Sequence, residues 1–228
     1  MPSRAAFFDL DGTLTTVTSI FRFLAFDLAH RGRPESDYAD AMAALAASKA
    51  RGATREATNR AFYRNFAGRP IAELLAVGER WFHTEQAAGS LWRPEALAAL
   101  REHQAAGELT VLVSGSFTPC VLPIVRFLGL DLARCTELVV RTGVCTGEVA
   151  VPMVGEHKAR AVRELARANG LRLADCTGYG DDASDLPVLR LLGKAVVVGD
   201  DPLLLANGGR PGWRRLEENR YVITEGLT

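Results

Sequence analysis

The run Ala5-Ala6-Phe7-Phe8, followed at once by Asp9-Leu10-Asp11-Gly12-Thr13, is the most constraining stretch of this chain. Four apolar residues in succession read as a short strand buried on both faces, the pattern of a central strand in a parallel sheet. Two carboxylates one residue apart close it, and Gly12-Thr13 turns the chain. A carboxylate at the end of a buried strand is costly unless a cation or hydrogen-bond donors meet it. Asp9 and Asp11 are therefore expected to be splayed around one point by a tight turn, as a site rather than a solvated loop.

The residues after Leu14 change character. Ile20 to His30 has a helical apolar face, ended by Arg31-Gly32-Arg33-Pro34. Asp40 to Lys49 is Ala-rich and helical, Thr54 suits the cap of a third helix reaching Phe66, and a fourth runs from Ile71 to His83. Four helices with no strand signal between them predict an inserted helical block over residues 18–87. From Pro94 onward helices and strands alternate: helix to Ala106, strand Leu109–Val113, helix Pro119–Leu128. Paired strands Glu137–Arg141 and Val144–Val149 follow, then helix Glu156–Asn169, strand Ala174–Tyr179, helix Leu186–Leu192 and strand Lys194–Val198. That rhythm predicts an α/β fold, a Rossmann-like, mostly parallel sheet with helices on both faces. Residues 1–17 and 88–228 would form its core. Ligands of such sheets lie beyond the carboxyl ends of the strands, where Asp9, Ser114 and Asp181 are all expected.

Composition excludes several classes. The 228 residues carry 27 basic and 27 acidic side chains, so no general attraction to nucleic acid or to an anionic membrane is implied. No apolar run reaches the roughly 18 residues of a membrane span, and no basic-then-apolar leader is expected. Cys120, Cys135, Cys145 and Cys176 are scattered without Cys-x-x-Cys spacing, which suits free thiols and a cytoplasmic protein. Lysine occurs only at 49, 158 and 194, which makes Lys158 more than surface filler.

Four pieces in order carry a resemblance. Asp9-Leu10-Asp11-Gly12-Thr13 resembles motif I of the haloacid dehalogenase-like (HAD) phosphohydrolases. Val111-Leu112-Val113-Ser114-Gly115-Ser116 resembles their second motif, Lys158 their third, and Gly180-Asp181-Asp182-Ala183-Ser184-Asp185 their fourth. The helical block stands where that superfamily places its C1 cap, and Ser-Gly-Ser-Phe with the tail Gly212-Trp213-Arg214-Arg215-Leu216 is similar to the phosphoserine-phosphatase-like subfamily IB.

The resemblance implies a Mg²⁺-dependent phosphatase acting on a small phosphate monoester through an aspartyl-phosphate. Asp9 would be the nucleophile and Asp11 the acid and then base. Ser114 and the Gly115 N–H would hold the phosphate with Lys158. The Asp9 carboxylate, the Asp11 carbonyl and Asp181 would hold the metal. Asp185 is expected to support them, or to cap the next helix, and Asp182 to contact a metal-bound water or face solvent. His157 is expected to lie outside the chemistry. Two departures separate this chain from phosphoserine phosphatases. Thr15 to Ser19 supplies no acid for a substrate ammonium, leaving Thr18 there, and Ser184 stands where Asn is usual. Arg60 aligns loosely with a substrate-binding arginine. A sugar phosphate or a phosphorylated secondary metabolite is the expected substrate, with a phosphomutase or a phosphoserine phosphatase as alternatives.

Overall fold

The computed structural model describes residues 3–216. Among them, β1 is Ala5–Phe8, β2 Leu109–Phe117, β3 Leu132–Arg141, β4 Val144–Val151, β5 Thr177–Gly180, β6 Lys194–Val197 and β7 Trp213–Arg215. They form one sheet in the order β4-β3-β2-β1-β5-β6-β7. All neighbouring pairs run parallel except β3 and β4, which are antiparallel at one edge. The Ala-Ala-Phe-Phe strand lies in the middle, and each of its residues is at most 1% exposed.

Alternation along β1 divides the core. Ala6 and Phe8 face a cluster with Leu112, Tyr179 and Val196, completed by α5 (Pro94–Ala105) and α6 (Thr118–Leu128). Ala5 and Phe7 face the opposite cluster, where α7 (Glu156–Ala168) contributes Ala159, Val162 and Leu165 and α8 (Leu186–Leu189) contributes Val188. A third, smaller cluster joins β6 to α9 (Pro202–Leu205) through Ala195, Val197 and Leu204.

Between β1 and α5 the chain forms α1 (Ser19–His30), α2 (Glu35–Ala50), α3 (Arg55–Phe62) and α4 (Ile71–Ala87), with a 3₁₀ turn at Tyr63–Phe66. Their apolar residues are continuous with the first sheet-face cluster. Phe117 at the end of β2 is the pin: its ring lies 5.1 Å from Phe23, 5.3 Å from Tyr63 and 4.9 Å from Phe66. Gly78 lets α4 close on α6, since a Cβ there would stand 2.0 Å from the Pro119 carbonyl oxygen. Fully buried Asp27 on α1 accepts from Arg31 Nε at 3.1 Å and Arg69 Nη1 at 3.1 Å, tying α1 to the approach of α4. By contrast α2 buries no side chain.

The structure corrects several expected boundaries. α2 begins at Glu35, not Asp40, because Pro34 opens a first turn carrying Glu35 and Asp37, where acids favour the helix dipole. β2 does not stop at Val113, so Ser114 lies inside it rather than at its end. Its pairing with β3 slips there: Ser114 faces Cys135, and the next partners are Phe117 and Thr136. β3 is longer than expected because its first half pairs with β2 and its second half with β4. Two further elements, α9 and β7, lie in a stretch for which sequence periodicity gave none.

Candidate active site

Phe8 ends β1, so Asp9 is the first residue past the strand, and its N–H donates to the Tyr179 carbonyl at 3.0 Å. The next turn is closed by N–H donation from Leu14 and Thr15 to the Leu10 carbonyl, each at 2.9 Å. Gly12 adopts φ +85° within it. That conformation, and the absence of a side chain, let the turn lie against Asp181, the first residue past β5: a Cβ on Gly12 would be 2.0 Å from Asp181 Oδ2. Thr13 Oγ1 donates to Asp181 Oδ1 at 2.9 Å.

Lys158, in the first turn of α7, is 3% exposed and reaches back to Asp9 Oδ1 and Asp185 Oδ1, each at 2.7 Å. Asp185 accepts at Oδ2 from the N–H groups of Asp181 (3.2 Å) and Asp182 (3.3 Å). Its carboxylate is thus turned away from α8, and the expected helix-cap bond is not made. Gly180 permits this, because a Cβ there would stand 2.6 Å from Asp185 Cβ. Asp182 accepts from Ser184 N–H at 2.9 Å and caps the short turn Ala183–Asp185.

Asp11 accepts at Oδ1 from Ser19 N–H at 2.8 Å, at the start of α1. Ser19 Oγ donates to Ser116 Oγ at 2.8 Å, and Ser116 N–H donates to Ser114 Oγ at 3.0 Å. The Ser114 hydroxyl, 1% exposed, accepts through its lone pair and retains its proton to give. Gly115 faces the cavity while its carbonyl turns outward to three donors: Asn59 Nδ2 at 3.0 Å, Tyr63 Oη at 2.8 Å and Thr136 Oγ1 at 2.8 Å. Those side chains take over the carbonyl where the β2–β3 ladder slips, which is why the strand continues through Gly115-Ser116.

Burial sets the electrostatics. Asp9 is pushed well up by desolvation and by Asp185, Asp181 and Asp11, against the pull of Lys158. Burial also raises Asp11, opposed by hydrogen bonding with Ser19. Asp181 rises to about 7, through burial and then the Asp185 charge. Burial disfavours the Lys158 ammonium, yet Asp185 and Asp9 outweigh it and raise the group above its ordinary value. One lysine therefore faces more carboxylate charge than it neutralises.

A hard divalent cation fits that imbalance. Oxygen atoms of Asp9, Asp181 and Asp185 lie within 4.8 Å of one another. Lys158 and two amides occupy the Asp185 oxygens, which leaves Asp9 and Asp181 as the carboxylates with open lone pairs. An all-oxygen donor set of this kind suits Mg²⁺, which takes about six oxygens and keeps several waters.

The carboxylates open into a cavity of about 240 Å³ lined by Asp9, Asp11, Lys158, Asp181, Asp182 and Ser184 on one side. The helices supply the other wall: Thr18, Ile20, Phe21, Leu45, Lys49, Arg55, Thr58, Asn59 and Phe62. Thr18 is thus at the cavity. Arg60 is not: its guanidinium pairs with Glu56 Oε1 at 2.9 Å and also donates to the Val149 carbonyl. It sits on the opposite side of α3, whose residues 55, 58, 59 and 62 share one helical face toward the cavity. His157 pairs with Glu56 Oε2 at 3.5 Å, away from the carboxylates. Lys49, Arg55 and Asn59 were missed because exposed basic residues and a helical Asn carry no motif.

Comparison with known proteins shows what the chain is similar to as a whole. A probable phosphatase of Mycobacterium tuberculosis is 34% identical over 223 residues, 96% of this chain and 76% of that one. The phosphoserine phosphatase SerB1 of the same organism is 34% identical over 218 residues, 92% of this chain and 69% of that protein. Among solved structures, a protein of unknown function from Bordetella pertussis Tohama I superposes with a TM-score of 0.83 at 26% identity, covering 95% of this chain and 99% of that one. A phospho-aspartyl intermediate analogue of a phosphoserine phosphatase shares the fold with a TM-score of 0.68 at 22% identity, covering 96% of this chain and 95% of the other. Residues 6–190 match the haloacid dehalogenase-like hydrolases. The mostly parallel sheet, the carboxylates at its strand ends and that match together make this chain a member of the haloacid dehalogenase-like hydrolase family.

Proposed function

We propose that the chain is a Mg²⁺-dependent phosphatase that hydrolyses a small phosphate monoester through an aspartyl-phosphate on Asp9. The observation that carries this reading is the pairing of two half-buried carboxylates with different surroundings. Asp9 is ion-paired to Lys158 and open on its other oxygen, whereas Asp11 has no salt bridge among the described residues and accepts from Ser19 N–H. Such a split separates a nucleophile from an acid.

A phosphate ester resists anionic attack because its oxygens repel the nucleophile, so charge neutralisation and in-line positioning dominate catalysis. Asp9 attacks phosphorus, the ester P–O bond breaks, and the leaving alkoxide takes the Asp11 proton. Water then attacks the aspartyl-phosphate and gives its proton to Asp11, releasing inorganic phosphate and regenerating Asp9. Lys158 stays beside Asp9 throughout, while the Ser114 hydroxyl and Gly115 N–H donate to phosphate oxygens. Asp9, Asp181 and the Asp11 carbonyl would hold Mg²⁺, which would supply the remaining positive charge. Residues 18–87 act as the cap that closes the site with its own wall of the cavity.

The cavity is below the roughly 300–1,000 Å³ common for drug-sized ligands, which favours a small substrate such as a sugar phosphate or a compact phosphorylated metabolite. The four cysteines are free, in keeping with a cytoplasmic site of action. A second reading, phosphoserine hydrolysis, draws on the name of the 34%-identical SerB1. Thr18 stands at the cavity without a carboxylate for the substrate ammonium, which weighs against it. A panel of phosphate monoesters, scored by inorganic phosphate release, tests the assignment. EDTA should abolish release and Mg²⁺ restore it, and Asp9→Asn should lose several orders of magnitude while remaining folded. Near-normal turnover by folded Asp9→Asn contradicts the nucleophile assignment.

A further inference from the structure

The proposed chemistry leaves the other wall of the cavity unexplained, and three of its polar residues point to the organic half of the substrate. Asn59 is only 7% exposed and lines the cavity beside Gly115. Its Nδ2 donates to the Gly115 carbonyl at 3.0 Å, which fixes the amide orientation because a flipped amide would set two acceptors against each other. Asn59 Oδ1 is then buried with no hydrogen-bond partner among the described residues. A buried acceptor left unpaired is costly, so such a position is built to be met by a donor. Neighbouring carboxylates, when ionised, accept only and cannot meet it.

Lys49 at the end of α2 and Arg55 at the start of α3 line the same cavity, are exposed, and form no salt bridge among the described residues. Arg55 lies on the same face of α3 as Thr58, Asn59 and Phe62, all of which line the cavity. Two cations at the rim oppose a substrate ammonium and favour an anion.

Resting on the phosphatase reading above, we infer that Asn59 accepts a hydrogen bond from a hydroxyl close to the ester oxygen, and that Lys49 and Arg55 hold a second anionic group. The substrate class is a small hydroxylated phosphomonoester bearing another negative charge. Proximity to Gly115, which backs the phosphate, places the hydroxyl within one or two carbons of the ester. Asn59 and the two cations are specificity residues; none is needed for phosphoryl transfer itself.

Four probes on one three-carbon skeleton separate the terms: 3-phosphoglycerate, its 2-deoxy analogue, O-phosphoserine and glycerol 3-phosphate. Phosphate release is followed for each in the presence of Mg²⁺, and binding of each to Asp9→Asn is measured by calorimetry as a readout independent of turnover. The hydroxylated acid should exceed the deoxy acid by roughly 10- to 100-fold, the effect of one buried acceptor left unpaired. It should also exceed phosphoserine. Asn59→Ala, in which Tyr63 and Thr136 still hold the Gly115 carbonyl, should bring the first ratio to near one. Lys49→Met with Arg55→Met should remove the preference for phosphoglycerate over glycerol 3-phosphate. Equal handling of hydroxylated and deoxy acids by the wild type, preference for phosphoserine, or an unchanged ratio in Asn59→Ala overturns the inference. So does an equal loss for phosphoglycerate and glycerol phosphate in the double variant, since the cations would then hold the reacting phosphate. If none of the four releases phosphate but Asp9→Asn still discriminates them in binding, the phosphatase reading falls and the recognition wall stands.

Discussion

Gly12→Ala is the sharpest single test of the proposed centre, because the added atom is small and its collision is defined. The new Cβ would sit 2.0 Å from Asp181 Oδ2 and 2.5 Å from its Cγ. Restoring an ordinary contact of 3.4 Å demands that the carboxylate or the turn move by about 1.4 Å. Asp181 is also bound to Thr13 Oγ1 at 2.9 Å, one residue along the same turn, so the displacement strains that bond as well. Misplacing a catalytic group by about 1 Å costs about 10²-fold in rate. Placing Ala at φ +85° adds backbone strain of about 1–2 kcal/mol. For a chain of this size that amounts to a Tm loss of about 2–8 °C. Gly32→Ala provides the control: its φ is +65°, but nothing lies within 4 Å of the added atom. Both variants should lose a few degrees in thermal unfolding. Only Gly12→Ala should lose about 100-fold or more in kcat/KM and need more Mg²⁺ for half-saturation. Activity and Mg²⁺ requirement within threefold of wild type would refute the role given to Asp181 and the packing argument beneath it.

Three other perturbations follow from the same geometry. Asp11→Asn should still form aspartyl-phosphate on Asp9 from an ester with a good leaving group, and the adduct should persist because the water lacks its base, a loss of about 10²–10⁴-fold; absence of any phosphoryl adduct in the intact mass of the quenched variant, or wild-type rates with unactivated esters, contradicts the division of labour. The Asp181 carboxyl, raised to about 7 by burial and then Asp185, adds stability to the metal-free fold that is present below the unfolded value near pH 4 and is lost as pH rises through about 7. Thermal unfolding of wild type relative to Asp181→Asn should show that loss without Mg²⁺ and not at saturating Mg²⁺, whereas pH-independent difference curves argue against it. Asp27→Ala leaves Arg31 and Arg69 without their buried partner and should cost about 3–5 kcal/mol in urea unfolding, and a change below about 1 kcal/mol would mean that the pair is not holding α1.

The fold was most legible where periodicity and punctuation agreed. β1 was visible because four apolar residues end in two acids, and α5 because Pro94 opens it and Gly107 follows its end. The β2 boundary was not legible. Ser114-Gly115-Ser116 has the composition of a turn, and only side chains from α3, the 3₁₀ turn and β3 reveal why the backbone stays extended there. The first half of β3 was hidden because Arg134 interrupts a mostly apolar stretch, and its pairing with β2 depends on partners about twenty residues away. The short α9 has too few residues to show a period, though Asp201 caps it with bonds to Leu203 and Leu204 N–H at 2.8 and 3.0 Å.

The carboxylates and Lys158 were readable because their chemistry demands those residue types in that order, and the structure brings them to one point. The recognition wall followed a different logic. Arg60 attracted attention by residue type, yet a helix capped at Thr54 sets a phase in which Arg55, Thr58, Asn59 and Phe62 lie together and Arg60 lies with Glu56. That phase was present in the sequence; which face met the cavity was not. Gly115 decides it. Its carbonyl binds Asn59 and Tyr63, residues 56 and 52 positions earlier, so the backbone that backs the proposed phosphate position also anchors α3. A change in the tilt of α3 therefore moves Asn59 and Gly115 together, and the groups proposed to read the organic half of a substrate cannot shift independently of those proposed to hold its phosphate. Loss of the Asn59 side chain removes one of three bonds to that carbonyl, whereas loss of the Tyr63 hydroxyl removes one without touching the cavity. Tyr63→Phe should accordingly leave the ranking of substrates unchanged, and Asn59→Ala should alter it.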